Sequence, residues 1–351
     1  MRPLMKGLLF GTTGAAAAIA FYARFVERAR VRLDRFTVPV DKPDIPLQGL
    51  TILHLSDLHL RESGAIQARK LESLRQALAG EQYDLVALTG DLIHDQPGLA
   101  TALSFIGELR PRLGGFSCLG NHDYWESSLW GIFGKRADDT GPWRPADVVE
   151  AARKLWAFVG KVLRNERVYA RVAAHDVPAM NAGLQALGVQ PLVNASTHLR
   201  AAGVDLWIAG VDDLSQGTPD LQEALLDVPL GAPLLLLAHN PDIWLETRVE
   251  RADLVLSGHT HGGQVRLPIL GSIHTQGTYL PRRHAAGWFQ RGSTRMFVTR
   301  GVGESLPLRL GASPQAALIR LVPAEPRGMS SRRVGRSRSG GQRRVAEKRI
   351  H

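Results

Sequence analysis

The sequence predicts an α/β domain in which helices pack on the faces of β-sheets. Mostly apolar runs of four or five residues suit strands that are buried on both faces. They alternate along the chain with segments whose apolar residues recur at helical spacing, as in layered α/β domains. The strand runs are 51–55, 84–88, 115–119, 233–237 and 253–256, and the helical segments are 66–78, 99–109, 148–162, 177–187 and 221–225.

Metal-binding side chains follow each of these strand runs. In α/β sheets, the loops after the strand ends are where ligands are held. Unpaired polar groups at the ends of buried strands are costly, so these groups need a partner. Two divalent cations would bind all of them. The groups are two carboxylates, one amide oxygen and four imidazoles, from Asp57, His59, Asp91, Asn121, His239, His259 and His261.

The donor atoms indicate which metals suit such a site. Mixed oxygen and nitrogen ligands favour manganese, iron or zinc over calcium, and the single Cys118 excludes a thiolate-rich site. We expect two divalent metal ions, manganese first, with iron or zinc as alternatives. Two cations about 3.5–4 Å apart can bind a phosphoryl group and the attacking hydroxide together.

The order D-x-H, G-D, G-N-H-D, H, G-H-x-H between residues 57 and 264 resembles the calcineurin-like metallophosphoesterase family. The resemblance implies a four-layer α/β/β/α sandwich of two mixed sheets flanked by helices, with the dimetal site at the carboxyl edge of the strands. It also implies that His122 is a general acid facing the leaving group, and that Asp91 bridges the metals. The first metal would be held by Asp57, His59, Asp91 and His261, and the second by Asp91, Asn121, His239 and His259.

Three longer stretches, residues 56–60, 120–125 and 258–268, resemble the bacterial membrane-associated branch of this family. That branch contains enzymes acting on phosphodiesters or on the lipid A precursor UDP-2,3-diacylglucosamine. The substrate-binding candidates are Asp123, where many relatives carry Glu, Arg61, where relatives often carry Gly, and Arg300. Arginine offers a planar fork of donors to a phosphate, although a structural ion pair is an equal alternative for Arg300.

Other polar residues near the motifs have simpler interpretations. His54 alternates with Leu53 and Leu55 on the first strand run, so we expect it to be a core or supporting histidine. Asp212 and Asp213 end another strand-like run, 205–211, and the Ser, Gly and Pro that follow favour a turn over a pocket-lining role.

The charge of the chain is concentrated at its two ends. The 351 residues are 44% hydrophobic, enough for one large domain, and carry a net charge of +10. Residues 1–35 carry +5 and residues 327–351 carry +8, which leaves about −3 on the body. A mildly acidic body has no phosphate-tracking surface, so we expect no nucleic-acid partner. The tail 326–351, rich in Arg, Ser and Gly, should be disordered and could bind anionic lipid head groups or have no partner.

The N-terminal residues 1–35 predict a membrane anchor or a signal segment. Residues 7–22 carry no charge and are flanked by basic residues. This run is short for a spanning helix, which needs about 20 residues, and is close to a signal-peptide apolar region. An uncleaved anchor, a cleaved signal and an interfacial or buried helix remain alternatives. We expect association with the bacterial inner membrane, and the heavier positive charge after the run favours a cytoplasmic catalytic domain, with export as the alternative.

An insertion at residues 125–175 interrupts the catalytic domain, which we place at 36–325. It leaves directly from the loop that carries His122, so it should lie beside the leaving-group side of the site. Its aromatic residues suggest the hypothesis of an apolar lid or acyl-chain cap, with a satellite helix packed on the domain as an equal alternative. These residues are Trp125, Trp130, Phe133 and Trp143.

Taken with the resemblance, the motifs predict a dimetal hydrolase of phosphoester or pyrophosphate bonds, in which a metal-bridging hydroxide attacks phosphorus. The expected substrate is a membrane lipid or nucleotide-lipid such as UDP-2,3-diacylglucosamine, and the expected state is a membrane-associated monomer. The alternatives are a soluble nucleotide or phosphoprotein phosphatase and a non-catalytic scaffold of the same fold.

Overall fold

Two six-stranded sheets form the centre of the computed structural model, which describes residues 14–15, 17–40, 49–128, 145–166 and 170–324. Four further strands form two small two-stranded sheets. The strands are β1 (Arg32–Val40), β2 (Leu50–Leu55), β3 (Leu85–Thr89), β4 (Gly114–Cys118), β5 (Trp125–Ser128), β6 (Ala170–Ala174), β7 (Val189–Pro191), β8 (Ala195–Ala201), β9 (Val204–Gly210), β10 (Leu234–Leu237), β11 (Leu254–Ser257), β12 (Arg266–Leu267), β13 (Gly271–Ser272), β14 (Gly287–Arg291), β15 (Thr294–Val298) and β16 (Gln315–Pro323).

Both large sheets are mixed, as the resemblance implies. The first has the order β1-β16-β2-β3-β4-β7, and only the β16–β2 pair is antiparallel. The second has the order β14-β15-β11-β10-β9-β8, with antiparallel pairs at its two edges. The central strands of each sheet therefore run parallel, so their carboxyl ends meet at one edge.

Most of the helices pack on the outer faces of the sheets. They are α1 (Ala65–Leu78), α2 (Gly98–Ile106), α3 (Asn121–Tyr124), α4 (Pro145–Arg164), α5 (Val177–Ala186) and α6 (Leu221–Ala224). The predicted helical segments are thus present, but the one expected over 99–109 ends at Ile106. Pro111 lies shortly beyond, where the residue before a proline is disfavoured in helical conformation.

Alternate residues of each strand enter different apolar layers. Ile52 and Leu85 of the first sheet pack with Leu235 and Leu256 of the second, and this contact fills the space between the sheets. A second cluster joins the outer face of the first sheet to α1, α2 and α5, and a third covers the outer face of the second sheet with α6 and two 3-10 turns, Pro241–Leu245 and Thr247–Arg251. The result is the predicted four-layer arrangement.

The insertion begins and ends in a small antiparallel ribbon. β5 pairs with β6, and α4 lies between them in the chain. Residues 129–144 and 167–169, and with them Trp130, Phe133 and Trp143, lie outside the described residues.

The N-terminal segment, defined here as residues 17–31, packs on the body of the domain. The carbonyl oxygen of Ala23 accepts a hydrogen bond from Arg309 N (3.0 Å), and the Glu27 carboxylate accepts from Gly311 N and Ser313 Oγ (3.1 and 3.0 Å). β1 follows at Arg32, so the chain enters the first sheet before residue 36.

Neither end of the chain is fully described. Among the described residues, no helix has the length and apolar character needed to cross a membrane. Residues 1–13 and 16, and the basic tail from residue 325 onward, lie outside the described residues.

Candidate metal centre

The predicted metal ligands meet because parallel strands of both sheets end at the same edge. Asp57 and His59 follow β2, Asp91 follows β3, and Asn121 begins α3 after β4. From the second sheet, one imidazole follows β10 and two follow β11. All seven side chains are buried, namely Asp57, His59, Asp91, Asn121, His239, His259 and His261.

The backbone of the centre is held in an unusual conformation. Five of the seven ligand residues have positive φ, in the left-handed region that non-glycine residues rarely adopt. Each such residue costs on the order of 1–3 kcal/mol, and strain of this kind persists where the surrounding structure enforces it, as at functional sites. The angles are 52° at Asp57, 46° at His59, 54° at Asp91, 69° at His259 and 52° at His261.

Two glycines allow the ligand loops to approach one another. A Cβ atom on Gly120 would overlap the Asp91 carboxylate, and one on Gly258 would overlap Ser56 and Asp57. A side chain at either position would therefore displace a ligand.

The ligand atoms form two clusters with spacing suited to coordination. In the first, His261 Nε2 lies 3.3 Å from His59 Nε2 and 3.7 Å from Asp57 Oδ1. In the second, His239 Nε2 lies 3.3 Å from Asp91 Oδ2 and 3.2 Å from His259 Nδ1. Donors bound at about 2.0–2.2 Å from one metal are separated by roughly 3–3.6 Å. The donor set and its spacing therefore fit one cation in each cluster.

Asp91 lies between the two clusters. Its Oδ2 atom is 3.5 Å from His59 Nε2 and 3.3 Å from His239 Nε2, one residue from each cluster. Its Oδ1 atom accepts a hydrogen bond from the backbone N–H of His122 (2.7 Å). That bond fixes the carboxylate with one oxygen turned toward both clusters, as a bridging ligand requires.

The shifted pKa values of the side chains indicate that the centre needs positive charge to balance its carboxylates. Burial raises the pKa of Asp57 to about 6. Burial lowers the pKa of His239, but the nearby Asp91 carboxylate outweighs it and holds that pKa well above its usual value. A buried imidazole that retains its proton in this way compensates for carboxylate charge. Divalent cations would supply that compensation directly.

His122 lies beside the centre and has two possible uses. One of its ring nitrogens lies within 4.8 Å of ligand atoms of His59 and Asp91, so metal binding by His122 is geometrically open. Its ring also lines the cavity in front of the centre, where a general acid would face a leaving group. Burial lowers its pKa, with Asp91 opposing, so a bound anionic substrate would help it to hold a proton.

The three predicted substrate-binding residues have different surroundings. Asp123 is fully buried and accepts hydrogen bonds from the backbone N–H groups of Asp91, Leu92 and Gly120 (2.7–2.8 Å), which makes it a positioning residue for the ligand loops. Burial raises its pKa to about 7. Arg61, with 52% of its side chain exposed, lines the cavity.

Arg300 forms a structural ion pair, which was the alternative to substrate binding. Its guanidinium pairs with Asp34 Oδ2 (3.1 Å) and donates to the carbonyl oxygen of Ser313 (2.9 Å). These contacts hold the loop before β16 against β1, so the geometry does not support the expectation that Arg300 binds substrate.

Sequence reasoning missed two residues that contact His261 of the first cluster. Ser305 Oγ lies 2.9 Å from His261 Nε2. Arg309 is completely buried and donates to the carbonyl oxygens of His261, Gly301 and Ala312 (3.4, 3.3 and 2.8 Å). The candidate Arg300 points to this part of the chain, but no sequence pattern points to Arg309.

His54 is a buried histidine and the aspartates after β9 stabilise a turn, as predicted. His54 is fully buried, and its Nε2 atom lies 2.8 Å from Thr89 Oγ1. Asp212 accepts from Thr218 N (2.8 Å) and Asp213 from Ser215 N (2.9 Å), so both stabilise a turn.

Two facing mixed sheets with a buried carboxylate and imidazole centre at their carboxyl edge define a class of metal-dependent hydrolases. The model of the calcineurin-like phosphoesterase family matches residues 50–263, more than half of the chain, and the chain belongs to this family. It is therefore a hydrolase that acts on phosphoester bonds.

Several curated relatives extend the comparison. The chain is 28% identical over 329 residues to the uncharacterized metallophosphoesterase YkuE of Bacillus subtilis (91% of this chain, 96% of that protein). It is 27% identical over 307 residues to the UDP-2,3-diacylglucosamine pyrophosphatase LpxG of Chlamydia trachomatis (85% and 92%). It is 36% identical over 145 residues to the phosphodiesterase YaeI of Escherichia coli (40% and 50%).

Proposed function

We propose that the protein is a dimetal-dependent hydrolase of a phosphoester or pyrophosphate bond in a membrane lipid or nucleotide-lipid. UDP-2,3-diacylglucosamine is the first substrate to test. The observation that carries the dimetal part is the position of Asp91, whose Oδ2 atom lies within 3.5 Å of an imidazole of each cluster. The substrate is supported by the name of the relative LpxG, which aligns over 85% of this chain.

The chain's own residues have distinct parts in this proposal. The ligand residues hold two divalent cations, manganese first, with iron or zinc as alternatives, and these supply charge neutralisation at phosphorus and an activated water. His122 holds the proton that the departing oxygen requires. Asp123 fixes the loops after β3 and β4, and Arg61 contacts the substrate in the cavity.

The exposed face of α4 supports a lipid substrate. Val149, Trp156 and Leu163 are 69%, 75% and 62% exposed and lie seven residues apart, so they form an apolar stripe along one side of the helix. The end of α4 is fixed to the body, because Asn165 donates to the carbonyl oxygen of Thr278 (3.1 Å). A helix anchored at one end with an uncovered apolar stripe suits a cap over acyl chains and association with a membrane.

The alternatives are a soluble nucleotide or phosphoprotein phosphatase and a non-catalytic scaffold. A scaffold would have no need for seven buried ligand groups or for strained backbone at five of them. The cavity of about 610 Å³ would admit a nucleotide as well as a lipid head group, so the soluble substrate is tested alongside the lipid.

The decisive experiment uses the full-length protein purified in detergent. We expect two metal ions per chain by elemental analysis and release of UMP from UDP-2,3-diacylglucosamine in mixed micelles. Nucleotides and a phosphoserine peptide serve as the soluble alternatives. Faster turnover of either soluble substrate than of the lipid would refute the lipid assignment, and a purified protein that binds no metal would refute the dimetal assignment.

A further inference from the structure

One wall of the cavity in front of the metal centre comes from the N-terminal segment. The cavity is lined by His59 and His122 on one side and by Arg24 and Arg28 on another. The segment is fixed in this place by the backbone contact of Ala23 described above, by the Glu27 carboxylate, and by a hydrogen bond from Val31 N to Ser73 Oγ (3.1 Å). Arg24 and Arg28 are therefore part of the site.

Most cations in the cavity wall already have an acidic partner. Arg28 and Lys70 both pair with the buried Glu304, and Arg61 lies 3.5 Å from Asp95. Within the part of the chain that the structure describes, Arg24 has no carboxylate partner. Its guanidinium lies 4.9 Å from the ring centroid of Phe25 and is exposed to solvent. Arg24 is thus available to a ligand, as is the half-exposed Arg61, and it differs from the other described cations of this wall in having no carboxylate beside it.

We propose that Arg24 is a specificity-determining residue that binds a second anionic group of the substrate. This inference rests on the proposed function, which places the reacting phosphoryl group at the metal centre. A diphosphate whose reacting end lies there extends into a cavity in which Arg24 offers a charged, planar fork of donors. The substrate class is then a diphosphate rather than a simple phosphodiester.

The same segment favours a lipid as the source of that diphosphate. Its side chains beside Arg24 form an exposed apolar surface next to the cavity, which would lie against an acyl chain or a bilayer. A soluble diphosphate presents the same anionic groups without using this surface. The apolar side chains are Ile19, Phe21, Tyr22 and Phe25, which are 52%, 61%, 42% and 43% exposed.

Binding of ligands that cannot be hydrolysed tests the proposal. Decylphosphonate carries one anionic group and decyl methylenediphosphonate carries two, and calorimetry gives the Kd of each for the full-length, manganese-loaded protein. We expect the natural protein to bind the diphosphonate about tenfold more tightly than the monophosphonate. One charge-assisted hydrogen bond is enough to give a difference in Kd of this size. Arg24→Glu should remove this preference, and Arg24→Lys should retain part of it.

Arg30→Glu is the matched control. Arg30 is exposed on the same segment and is not among the cavity-lining residues, so the substitution makes the same change of charge outside the cavity. It should keep the tenfold preference. Equal losses in Arg24→Glu and Arg30→Glu would show general charge attraction and overturn the subsite, as would absence of the preference in the natural protein.

Two further arms separate the remaining outcomes. Methylenediphosphonate without a tail should bind more weakly than its decyl derivative, and equal Kd values would overturn the lipid source in favour of a soluble diphosphate. Hydrolysis of bis(p-nitrophenyl) phosphate by the natural protein tests the proposed function separately. Cleavage without any dependence of binding on Arg24 would overturn the subsite alone, whereas Arg24-dependent binding without cleavage would overturn the function alone.

Discussion

Two neighbouring carboxylates in the centre have different environments and therefore different uses. Asp91 directs one oxygen toward imidazoles of both clusters, which hold its pKa well below the usual range despite burial. Asp123 makes its hydrogen bonds to backbone N–H groups, and its pKa is raised by burial. The first is placed to bind metal, and the second to hold the loops that carry the first.

Substitution of each carboxylate by its amide should separate these uses. Loss of a residue that orients a ligand typically costs 10–100-fold in metal affinity, so we expect about that loss for Asp123→Asn. Asp91→Asn should lose more, because both clusters share this ligand. Elemental analysis after dialysis against graded chelator measures the difference, with circular dichroism as the control for folding. Equal metal loss in the two variants would contradict the bridging position.

His122→Ala should distinguish a general acid from a ligand. As a general acid, His122 contributes about 10²–10⁴-fold to the rate when the leaving group needs a proton. The variant should therefore retain both metals, lose that factor with alkyl phosphodiesters and lose much less with p-nitrophenyl esters, whose leaving group is stable as an anion. A drop in metal content would instead identify His122 as a ligand, as its distance from His59 and Asp91 permits.

At the residue scale, the sequence predicted which metal-binding side chains cluster but not the residues that contact them. Asp57, Asp91 and the imidazoles stand out because metal-binding groups follow apolar runs, and that pattern is local in the chain. Arg309 acts through carbonyl oxygens of three separate loop residues, a relation that only the folded loop creates. For Arg300 the sequence left substrate binding and a structural ion pair open, because its partner Asp34 lies 266 residues away in the chain.

Among the elements, the innermost strands of both sheets were predicted, whereas the edge strands and their neighbours β15 and β16 were missed. β3, β10 and β11 are continuous apolar runs because both of their faces are covered. β1 lies at the edge of the first sheet, carries several exposed residues and contains Pro39, which edge strands tolerate. Its pairing with β16 joins residues that are far apart in the chain, which no local pattern reveals.

The apolar stripe of α4 gives a prediction about substrate size. Replacing Val149, Trp156 and Leu163 together by Ser removes the surface proposed to cover acyl chains, at a typical value of about 25 cal/mol per Å² of contact. We expect KM for UDP-2,3-diacylglucosamine to rise about tenfold or more, and the rate with bis(p-nitrophenyl) phosphate to stay within about twofold.

A control at an exposed ion pair of the same helix separates this effect from damage to the fold. Glu150 and Arg153 form an exposed ion pair, so their joint replacement by Ser should leave both rates close to those of the natural protein. If the triple variant instead loses small and lipid substrates to the same extent, α4 is a satellite helix that supports the domain.

In the whole molecule, many of the buried histidines and aspartates lie where the two sheets meet. The centre draws ligands from both sheets, and His54 extends this buried polar region into the contact between them. The His54 ring lies 5.9 Å from the ring of Phe297, which belongs to the second sheet. Protonation of such a group would affect the joining of the sheets rather than one loop.

Acid should therefore destabilise the metal-free protein partly through His54. Burial lowers its folded-state pKa to about 3, whereas an unfolded histidine titrates near 6.5. Between these values the unfolded chain binds a proton that the folded chain does not, so stability is complete above about pH 6.5 and is lost as pH falls toward 3. Protonation at this one site should lower the free energy of unfolding by about 2 kcal/mol between pH 7 and pH 5.

Urea unfolding in EDTA measures this loss of stability. His54→Gln is the comparison, because it removes the titrating group and leaves the other buried histidines in place. The variant should lose about 2 kcal/mol less than the natural protein over this interval, and parallel losses would show that the folded protein admits the proton at His54.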